Sequence, residues 1–225
     1  MRVLVIDTAL GLCTAGVFKV DGGAVRELGL RSEPMSKGHS ERLAGFARDA
    51  VAGSGLRFAD LDRIGVIVGP GSFTGLRVGM AFALGLGAAL DRPVVGLSSL
   101  DALAASVEAA SVAALIDARR GQVYARFFAH GVPAGGPEAL SLEAGAERIA
   151  GLASDATLVG SGAALFDDPA RSASVLSLAG PTPAALARLT AKADPELAPA
   201  RPLYLRAPDA LPPTRTPGQA RPGRG

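Results

Sequence analysis

The stretch IGVIVGPGSFTGLRVG, residues 64–79, decides the fold. Its first part, Ile64 to Val68, is an apolar run of strand length, and Gly69-Pro70-Gly71 interrupts it. Apolar residues then return at helical spacing, which predicts a helix from about Gly75 to Leu90. A strand that passes through a glycine loop into a helix is the building unit of α/β proteins, so we predict that class.

The rest of the chain extends this pattern into two lobes. Three strands precede the first helix, and the first 92 residues have the predicted order β-β-β-α-β-α. A second, less regular succession of strands and helices begins near Val94. We therefore predict two α/β lobes with a mixed sheet in each. Their predicted bounds are residues 1–97 for the N-terminal lobe, 98–206 for a reduced second lobe, and 207–225 for a disordered basic tail rich in proline and glycine.

The composition is that of a globular protein. Of the 225 residues, 48% are hydrophobic and 20% are charged, which excludes a disordered or collagenous chain. The single cysteine, Cys13, cannot form an internal disulfide. Asp7 interrupts the apolar run after Arg2, so a signal-peptide core is not expected. The uncharged stretch Val78 to Leu90 has 13 residues, too few for a bilayer. These features predict a cytoplasmic protein with no membrane association.

The basic charge is concentrated near the C-terminus. The formal net charge is +2, but the residues from Arg201 onward contain five arginines against Asp209 alone, so the preceding part is mildly acidic. Two interpretations of the tail stay open: a solvated segment with no role, and a segment that holds a polyanion or a partner. The chain has no tryptophan and two tyrosines, so a base-stacking platform for single-stranded nucleic acid is not expected.

The glycine loop has two candidate roles. Backbone N–H groups at a junction of strand and helix attract anions. However, no lysine precedes Thr74 as in a Walker loop, and Gly75 arrives one residue too late for the dinucleotide fingerprint. A phosphate loop and a tight strand-to-helix turn therefore stay open as alternatives. The candidate nucleotide- or phosphate-binding residues are Asp7, Thr8, Gly69, Gly71, Ser72 and Thr74.

A row of small side chains marks one face of the helix after the loop. Gly75, Gly79, Ala83 and Gly87 recur every four residues, and this spacing places them on one side. Glycine costs up to about 1 kcal/mol in a helix interior, so such a row indicates that another backbone approaches closely. That backbone can belong to a partner protein or to the first helix of the same lobe.

No catalytic or metal-binding set emerges from the sequence. His39, His130 and Cys13 lack the spacing of metal ligands. Ser72 lacks the G-x-S-x-G context of a hydrolase nucleophile. His39 opens the first predicted helix, where a capping or interface role is expected rather than general-base chemistry. We therefore predict no catalytic residues and no metal site.

Five segments together resemble the TsaB (YeaZ) family of bacterial accessory proteins of tRNA threonylcarbamoyladenosine biosynthesis. The resemblance implies the actin-like ASKHA fold, which is RNase H-like and two-lobed, in agreement with the predicted order of elements. The segments that carry it are Ile6-Asp7-Thr8-Ala9, His39-Ser40-Glu41-Arg42-Leu43, the loop Gly69 to Gly79, Ile116 to Tyr124 and Leu203-Tyr204-Leu205-Arg206.

The resemblance also implies an adaptor rather than an enzyme. The family is a non-catalytic paralogue of the transferase TsaD, whose metal-binding His-x-x-x-His would fall at Ser99 and Leu103 of this chain. Such an adaptor docks on the TsaD-like transferase and activates it. The transferase adds the threonylcarbamoyl group to the adenosine next to the anticodon in tRNAs that read A-starting codons. No cofactor of the adaptor itself is implied, and ATP or ADP and metal are expected only in the partner complex.

The implied partners are proteins first and tRNA only indirectly, through the complex. Besides the transferase they include a TsaE-like ATPase and, when the chain is alone, a second copy in a homodimer. Docking is implied to use the helices of the N-terminal lobe. The interface residues predicted from the resemblance and the small-residue face are His39, Leu43, Phe46, Gly75, Leu76, Gly79, Met80, Ala83, Leu84 and Gly87.

Two functions of other classes remain as alternatives. One is an ATP-binding and hydrolysing enzyme of the actin-like superfamily that uses Asp7 and the glycine loop. The other is a peptidase, for which the sequence offers neither a metal set nor a nucleophile–base pair.

Overall fold

The computed structural model describes residues 1–166 and 174–206. Within them the chain forms two mixed sheets with helices packed on them, as the alternation of strand and helix patterns predicts. The predicted tail, residues 207–225, lies outside the described residues.

The first sheet has five strands in the order β3-β2-β1-β4-β5. Its first three strands form an antiparallel meander, and β4 and β5 run parallel to β1. The central strands β1 and β4 are buried along nearly their whole length, which matches their uninterrupted apolar runs. The strands are β1 (Arg2–Asp7), β2 (Leu12–Asp21), β3 (Ala24–Pro34), β4 (Arg63–Gly69) and β5 (Val94–Ser98).

Helices cover both faces of the first sheet. Side chains of adjacent strand residues point to opposite faces, and two neighbours in β4 show what covers each. Gly65 lies against Thr190 of α5, whereas the side chain of Val66 lies next to Gly79 of α2. The helices concerned are α1 (His39–Gly53) and α2 (Phe73–Leu90), which pack together, and α5 (Pro183–Lys192).

The second sheet has the strand order β11-β10-β6-β7-β8, and β9 also pairs with β7. The pair β6–β7 is an antiparallel hairpin, and β10 and β11 run parallel to β6. The strands are β6 (Ser111–Arg119), β7 (Gln122–Ala129), β8 (Val132–Pro133), β9 (Glu138–Ser141), β10 (Thr157–Val159) and β11 (Ser174–Leu176), with helices α3 (Ser99–Ala104) and α4 (Leu142–Ala150).

The position of α5 differs from the predicted division into lobes. The prediction assigned all of residues 98–206 to the second lobe, but α5 packs on β1, β2 and β4, and Leu186 belongs to the first core. Gly65 provides the space, because a Cβ there would lie 1.9 Å from the hydroxyl oxygen of Thr190. The Arg63 guanidinium also donates to the carbonyl oxygens of Thr190, Ala191 and Ala193 at 3.1, 3.2 and 2.5 Å. These contacts hold the end of α5 against the first sheet.

The segment after α5 joins both lobes. The amide of Gly96 in β5 donates to the carbonyl oxygen of Ala198 at 2.9 Å, and the amide of Leu203 donates to that of Val68 at 2.8 Å. Leu203 packs on the first core, whereas Leu205 packs on the cluster between α3 and the second sheet. Residues 198–206 therefore form a strap from one lobe to the other.

Helix α2 is the one helix of the described residues that is long and apolar enough to cross a membrane, judged by length and composition alone. The uncharged run in the sequence begins after Arg77, whereas the helix begins earlier, at Phe73, and includes Arg77. One side of α2 is buried against β1 and β4. A helix that packs with one side on the sheet of an α/β lobe can have the same composition, and we assign α2 that role.

Candidate functional site

The glycine loop closes onto the end of β1. The amide of Ser72 donates to the carbonyl oxygen of Ala9 at 2.7 Å, and the hydroxyl of Thr8 donates to that of Gly75 at 2.7 Å. A Cβ on Gly71 would lie 2.5 Å from the Ala9 carbonyl oxygen, and one on Gly75 would lie 1.9 Å from that of Thr8. The glycines therefore admit the backbone of the chain itself, which favours the tight-turn alternative over a phosphate loop.

Asp7 is buried at the end of β1. Its Oδ1 accepts a hydrogen bond from the amide of Ala9 at 2.8 Å, while Oδ2 has no hydrogen-bond partner among the described residues. Burial raises the pKa of this carboxyl to about 6, although the Ala9 hydrogen bond opposes the rise. A Cβ on Gly180 would lie 3.4 Å from Oδ2, so Asp7 faces the segment that leads into α5.

An open cleft of about 720 Å³ lies between the two lobes. Ala9 to Gly11, in the β1–β2 turn, line it on one side, and Ile116 to Arg119, at the end of β6, line it on the other. Of the predicted phosphate-binding residues, only Gly71 and Ser72 are part of its lining. Asp7, Thr8 and Gly69 are buried, and Thr74 is exposed elsewhere.

The charged groups of the cleft neutralise each other. An Oδ2 atom of Asp117 lies 3.1 Å from the Arg119 guanidinium, and its Oδ1 accepts from the Arg119 amide at 2.7 Å. The remaining polar lining consists of Ser36, Ser72, Tyr124 and Ser161. Within residues 1–166 and 174–206, no group of three or more His, Cys, Asp or Glu side chains has an arrangement that would hold a metal ion. The cleft can thus bind a polar molecule, but its side chains provide no general base paired with a nucleophile.

The two positions at which the resemblance would place the transferase's metal ligands, Ser99 and Leu103, have structural roles. The hydroxyl of Ser99 is buried and donates to the carbonyl oxygen of Pro70 at 2.7 Å. Leu103 is fully buried in the cluster between α3 and the second sheet. Cys13 is likewise buried, and desolvation is the main cause that raises its thiol pKa to about 11. A thiol protonated in this way is not a nucleophile.

Most of the predicted docking residues are buried within the chain. Of the predicted interface residues only Leu84 is exposed, at 47% of its surface. A Cβ on Gly79 would lie 2.5 Å from the Thr8 hydroxyl oxygen, and one on Gly87 would lie 2.3 Å from a methyl group of Val94. The small-residue face therefore makes room for the chain's own first sheet, rather than for a partner or the first helix. The buried residues of the predicted set are His39, Leu43, Phe46, Gly75, Leu76, Gly79, Met80, Ala83 and Gly87.

His39 is packed inside and does not cap its helix with its side chain. It is the first residue of α1, after the N-cap Gly38, whose φ of 84° is in the left-handed region. Its Nε2 is buried without a hydrogen-bond partner among the described residues. The expectation of a capping or interface role is therefore replaced by packing at the start of α1.

The opposite side of α2 carries an exposed stripe that the sequence argument did not select. Phe73, Arg77, Ala81, Leu84 and Ala88 are all exposed and lie within about 80° of one another around the helix axis. We call these five residues the outer α2 stripe. It is apolar except for Arg77, which is the single charged residue of α2. A signal was present in the sequence, because large apolar residues such as Phe73 and Leu84 lie on the side away from the glycines.

Aromatic and cationic side chains are stacked at the N-terminal end of the outer α2 stripe. The Arg77 guanidinium carbon lies 3.7 Å from the centre of the Phe73 ring. The centre of that ring lies 5.6 Å from the Tyr204 ring, at an interplanar angle of 34°. Phe73 and Tyr204 are 49% and 44% exposed. The stack therefore joins α2 to the strap on the surface of the protein.

Comparison with known proteins gives a consistent family. Residues 26–131 match the family model of TsaD, tRNA N6-adenosine threonylcarbamoyltransferase. The chain is 40% identical over 210 residues to an uncharacterized protein of Mycobacterium tuberculosis, covering 93% of this chain and 94% of that protein. It is 34% identical over 128 residues to the tRNA threonylcarbamoyladenosine biosynthesis protein TsaB of Escherichia coli, covering 55% of this chain and 53% of TsaB.

Solved structures agree with these relatives. YeaZ from Pseudomonas aeruginosa superposes with a TM-score of 0.73 at 26% identity, covering 91% of this chain and 99% of YeaZ. A second structure, described as similar to peptidase YeaZ from the same organism, gives a TM-score of 0.74 at 28% identity, with the same coverage.

Two α/β lobes with mixed sheets, whose hairpins face each other across a cleft, define an actin-like ASKHA protein with RNase H-like lobes. The predicted fold class is confirmed. Within that class, the chain belongs to the TsaB/YeaZ family. Family membership supports a role in tRNA threonylcarbamoyladenosine biosynthesis, in the pathway of the TsaD-like transferase.

Proposed function

We propose that this chain is a non-catalytic adaptor that docks on a TsaD-like transferase and activates it. The observation that carries the proposal is the outer α2 stripe, an apolar helix surface left exposed on a lobe that is otherwise well packed. Its length, about 22 Å from Phe73 to Ala88, is enough for a helix of a partner to pack along it. Burial of exposed apolar surface of this kind stabilises protein complexes.

The proposal assigns the chemistry to the partner complex. ATP or ADP and metal are held there, a TsaE-like ATPase joins it, and tRNA is reached through the complex in the cytoplasm. In the absence of the transferase the chain pairs with a second copy through the same stripe. The closed glycine loop gives no support to the alternative of an ATP-hydrolysing enzyme, since its glycines admit Thr8 and Ala9.

The test uses two matched leucines. Leu84 in the outer α2 stripe and Leu165 in the second lobe are 47% and 46% exposed, so a charge at either position is compatible with folding. We expect Leu84→Glu to weaken binding to the purified transferase by roughly 10-fold or more, because a carboxylate would be desolvated in an apolar contact. Leu165→Glu should bind as the unchanged protein does.

The same proteins should be tested for threonylcarbamoyladenosine in tRNA by mass spectrometry. We expect product only when transferase and adaptor are both present, and less product with Leu84→Glu than with Leu165→Glu. Product from this chain without the transferase would show that it is an enzyme. Equal binding by both variants would remove the outer α2 stripe from the docking surface.

A further inference from the structure

We propose that Arg77 is the specificity-determining residue of the docking surface and pairs with a carboxylate of the partner protein. This inference rests on the proposed function, because it takes the outer α2 stripe as the surface that the partner covers. It adds what the partner must present: an apolar strip for most of the stripe and an acidic side chain at its N-terminal end.

Arg77 is exposed and has no ion pair with any described residue. Its guanidinium is nevertheless held in place, because it stacks on Phe73, and Phe73 contacts Tyr204. Stacking uses the face of the guanidinium and leaves its edge, with the N–H donors, open to a ligand. A planar carboxylate can accept two hydrogen bonds from that edge.

The surroundings of Arg77 require an anion when the surface is covered. The other members of the stripe are apolar, so a partner that packs along them removes water from Arg77 as well. A desolvated guanidinium without a counter-charge would oppose binding, whereas one paired with a carboxylate favours it and fixes the register of docking. Arginine and tyrosine, the residue types of Arg77 and Tyr204, are also enriched at energetically dominant interface positions.

A second copy of this chain does not meet the requirement in the same way. The outer α2 stripe contains no acidic residue, so two copies packed stripe against stripe would bring two cations into an apolar contact. The stripe therefore discriminates between partners: the acidic partner binds more tightly than a second copy does. A nucleic-acid phosphate would satisfy Arg77, but it would leave Leu84 and Ala88 against a polar surface, and we favour a protein.

The experiment measures binding of the full-length chain to the transferase at several salt concentrations. We expect Arg77→Gln to weaken binding by roughly 10- to 100-fold and to reduce its salt dependence. Arg77→Lys should recover part of the affinity, since it keeps the charge but loses the stacked, bidentate geometry. The control is Arg31→Gln, which removes an exposed arginine of β3 whose guanidinium hydrogen-bonds, among the described residues, only to the Leu30 carbonyl.

The outcomes separate this inference from the proposed function. If Arg77→Gln binds as tightly as the unchanged chain while Leu84→Glu fails to bind, the stripe docks and the role of Arg77 is wrong. If Leu84→Glu also binds normally, the docking proposal itself falls. Self-association should be unchanged or stronger in Arg77→Gln, and weaker self-association would overturn the argument that a second copy binds less tightly than the acidic partner does. If Arg77→Gln loses tRNA binding but not transferase binding, the ligand is a phosphate and the inference is overturned.

Discussion

The hydroxyl of Thr8 donates a hydrogen bond to the carbonyl oxygen of Gly75, and the two atoms lie 2.7 Å apart. Through this contact the end of β1 is fixed to the first turn of α2. The glycine is required for it, because a Cβ at residue 75 would lie 1.9 Å from the Thr8 carbonyl oxygen. The orientation of α2, and with it that of the outer α2 stripe, therefore depends on the lack of a side chain at residue 75.

We expect Gly75→Ala to lower the free energy of unfolding by about 1–3 kcal/mol, because backbone on both sides of the clash must move. Gly85→Ala is the matched control on the same helix, since a Cβ there has no neighbour within 4 Å. It should raise the free energy of unfolding by up to about 1 kcal/mol through helix propensity. Chemical denaturation of the three proteins measures both effects, and equal midpoints for the two variants would contradict the close contact.

Asp7 gives a prediction about pH. Its pKa in the folded chain is raised to about 6 by burial, so the folded state holds this proton more tightly than the unfolded state does. The contribution of Asp7 to stability is therefore largest at acidic pH and is lost as the pH rises through about 6. Above that pH, the buried carboxylate destabilises the folded state.

We expect Asp7→Asn to be more stable than the unchanged chain at pH 8, by about 1–3 kcal/mol. An asparagine oxygen can still accept from the Ala9 amide, which limits the structural change. The difference should shrink towards pH 4.5, where Asp7 is protonated in the folded state. Thermal denaturation of both proteins from pH 4.5 to 8 tests this, and a difference that does not vary with pH would show that the carboxyl titrates normally.

Arg63 gives a prediction about α5. One guanidinium nitrogen serves three carbonyl oxygens at the end of that helix. We expect Arg63→Ala to lower the free energy of unfolding by about 2–3 kcal/mol. The charge-assisted hydrogen bonds are lost, and the partly buried carbonyl oxygens are left without this donor. Amide hydrogen exchange should rise in α5 more than in α1. Exchange that rises equally in both helices would mean that Arg63 stabilises the lobe as a whole.

The sequence predicts those parts of the fold that depend on residues close together in the chain. The apolar runs of β1 and β4 and the turn before α2 depend on neighbours in the chain, and their element order was predicted correctly. The position of α5 depends on Gly65 and Thr190, which are 125 residues apart, and no local pattern indicates that contact.

The docking surface shows a different limit. Periodicity identifies the two sides of α2, with Gly79 on one and Leu84 on the other, but does not tell which side meets the sheet. Small residues allow close packing against many neighbours, and here the neighbours are Thr8, just after β1, and Val94 of β5. In the stack of Phe73, Arg77 and Tyr204, Tyr204 lies 127 or more positions after the other two residues. Only the folded chain brings it to α2.

The return of α5 to the first sheet has a consequence for synthesis on the ribosome. Strands β1 to β5 are complete by residue 98, but one face of their sheet stays uncovered until residues 183–192 have emerged. A nascent chain thus presents an apolar surface around Val3 and Val5 for the time needed to translate some 90 codons. A fragment of residues 1–97 should consequently aggregate or bind chaperones, whereas co-expression with a separate segment containing α5 should return it to the soluble fraction.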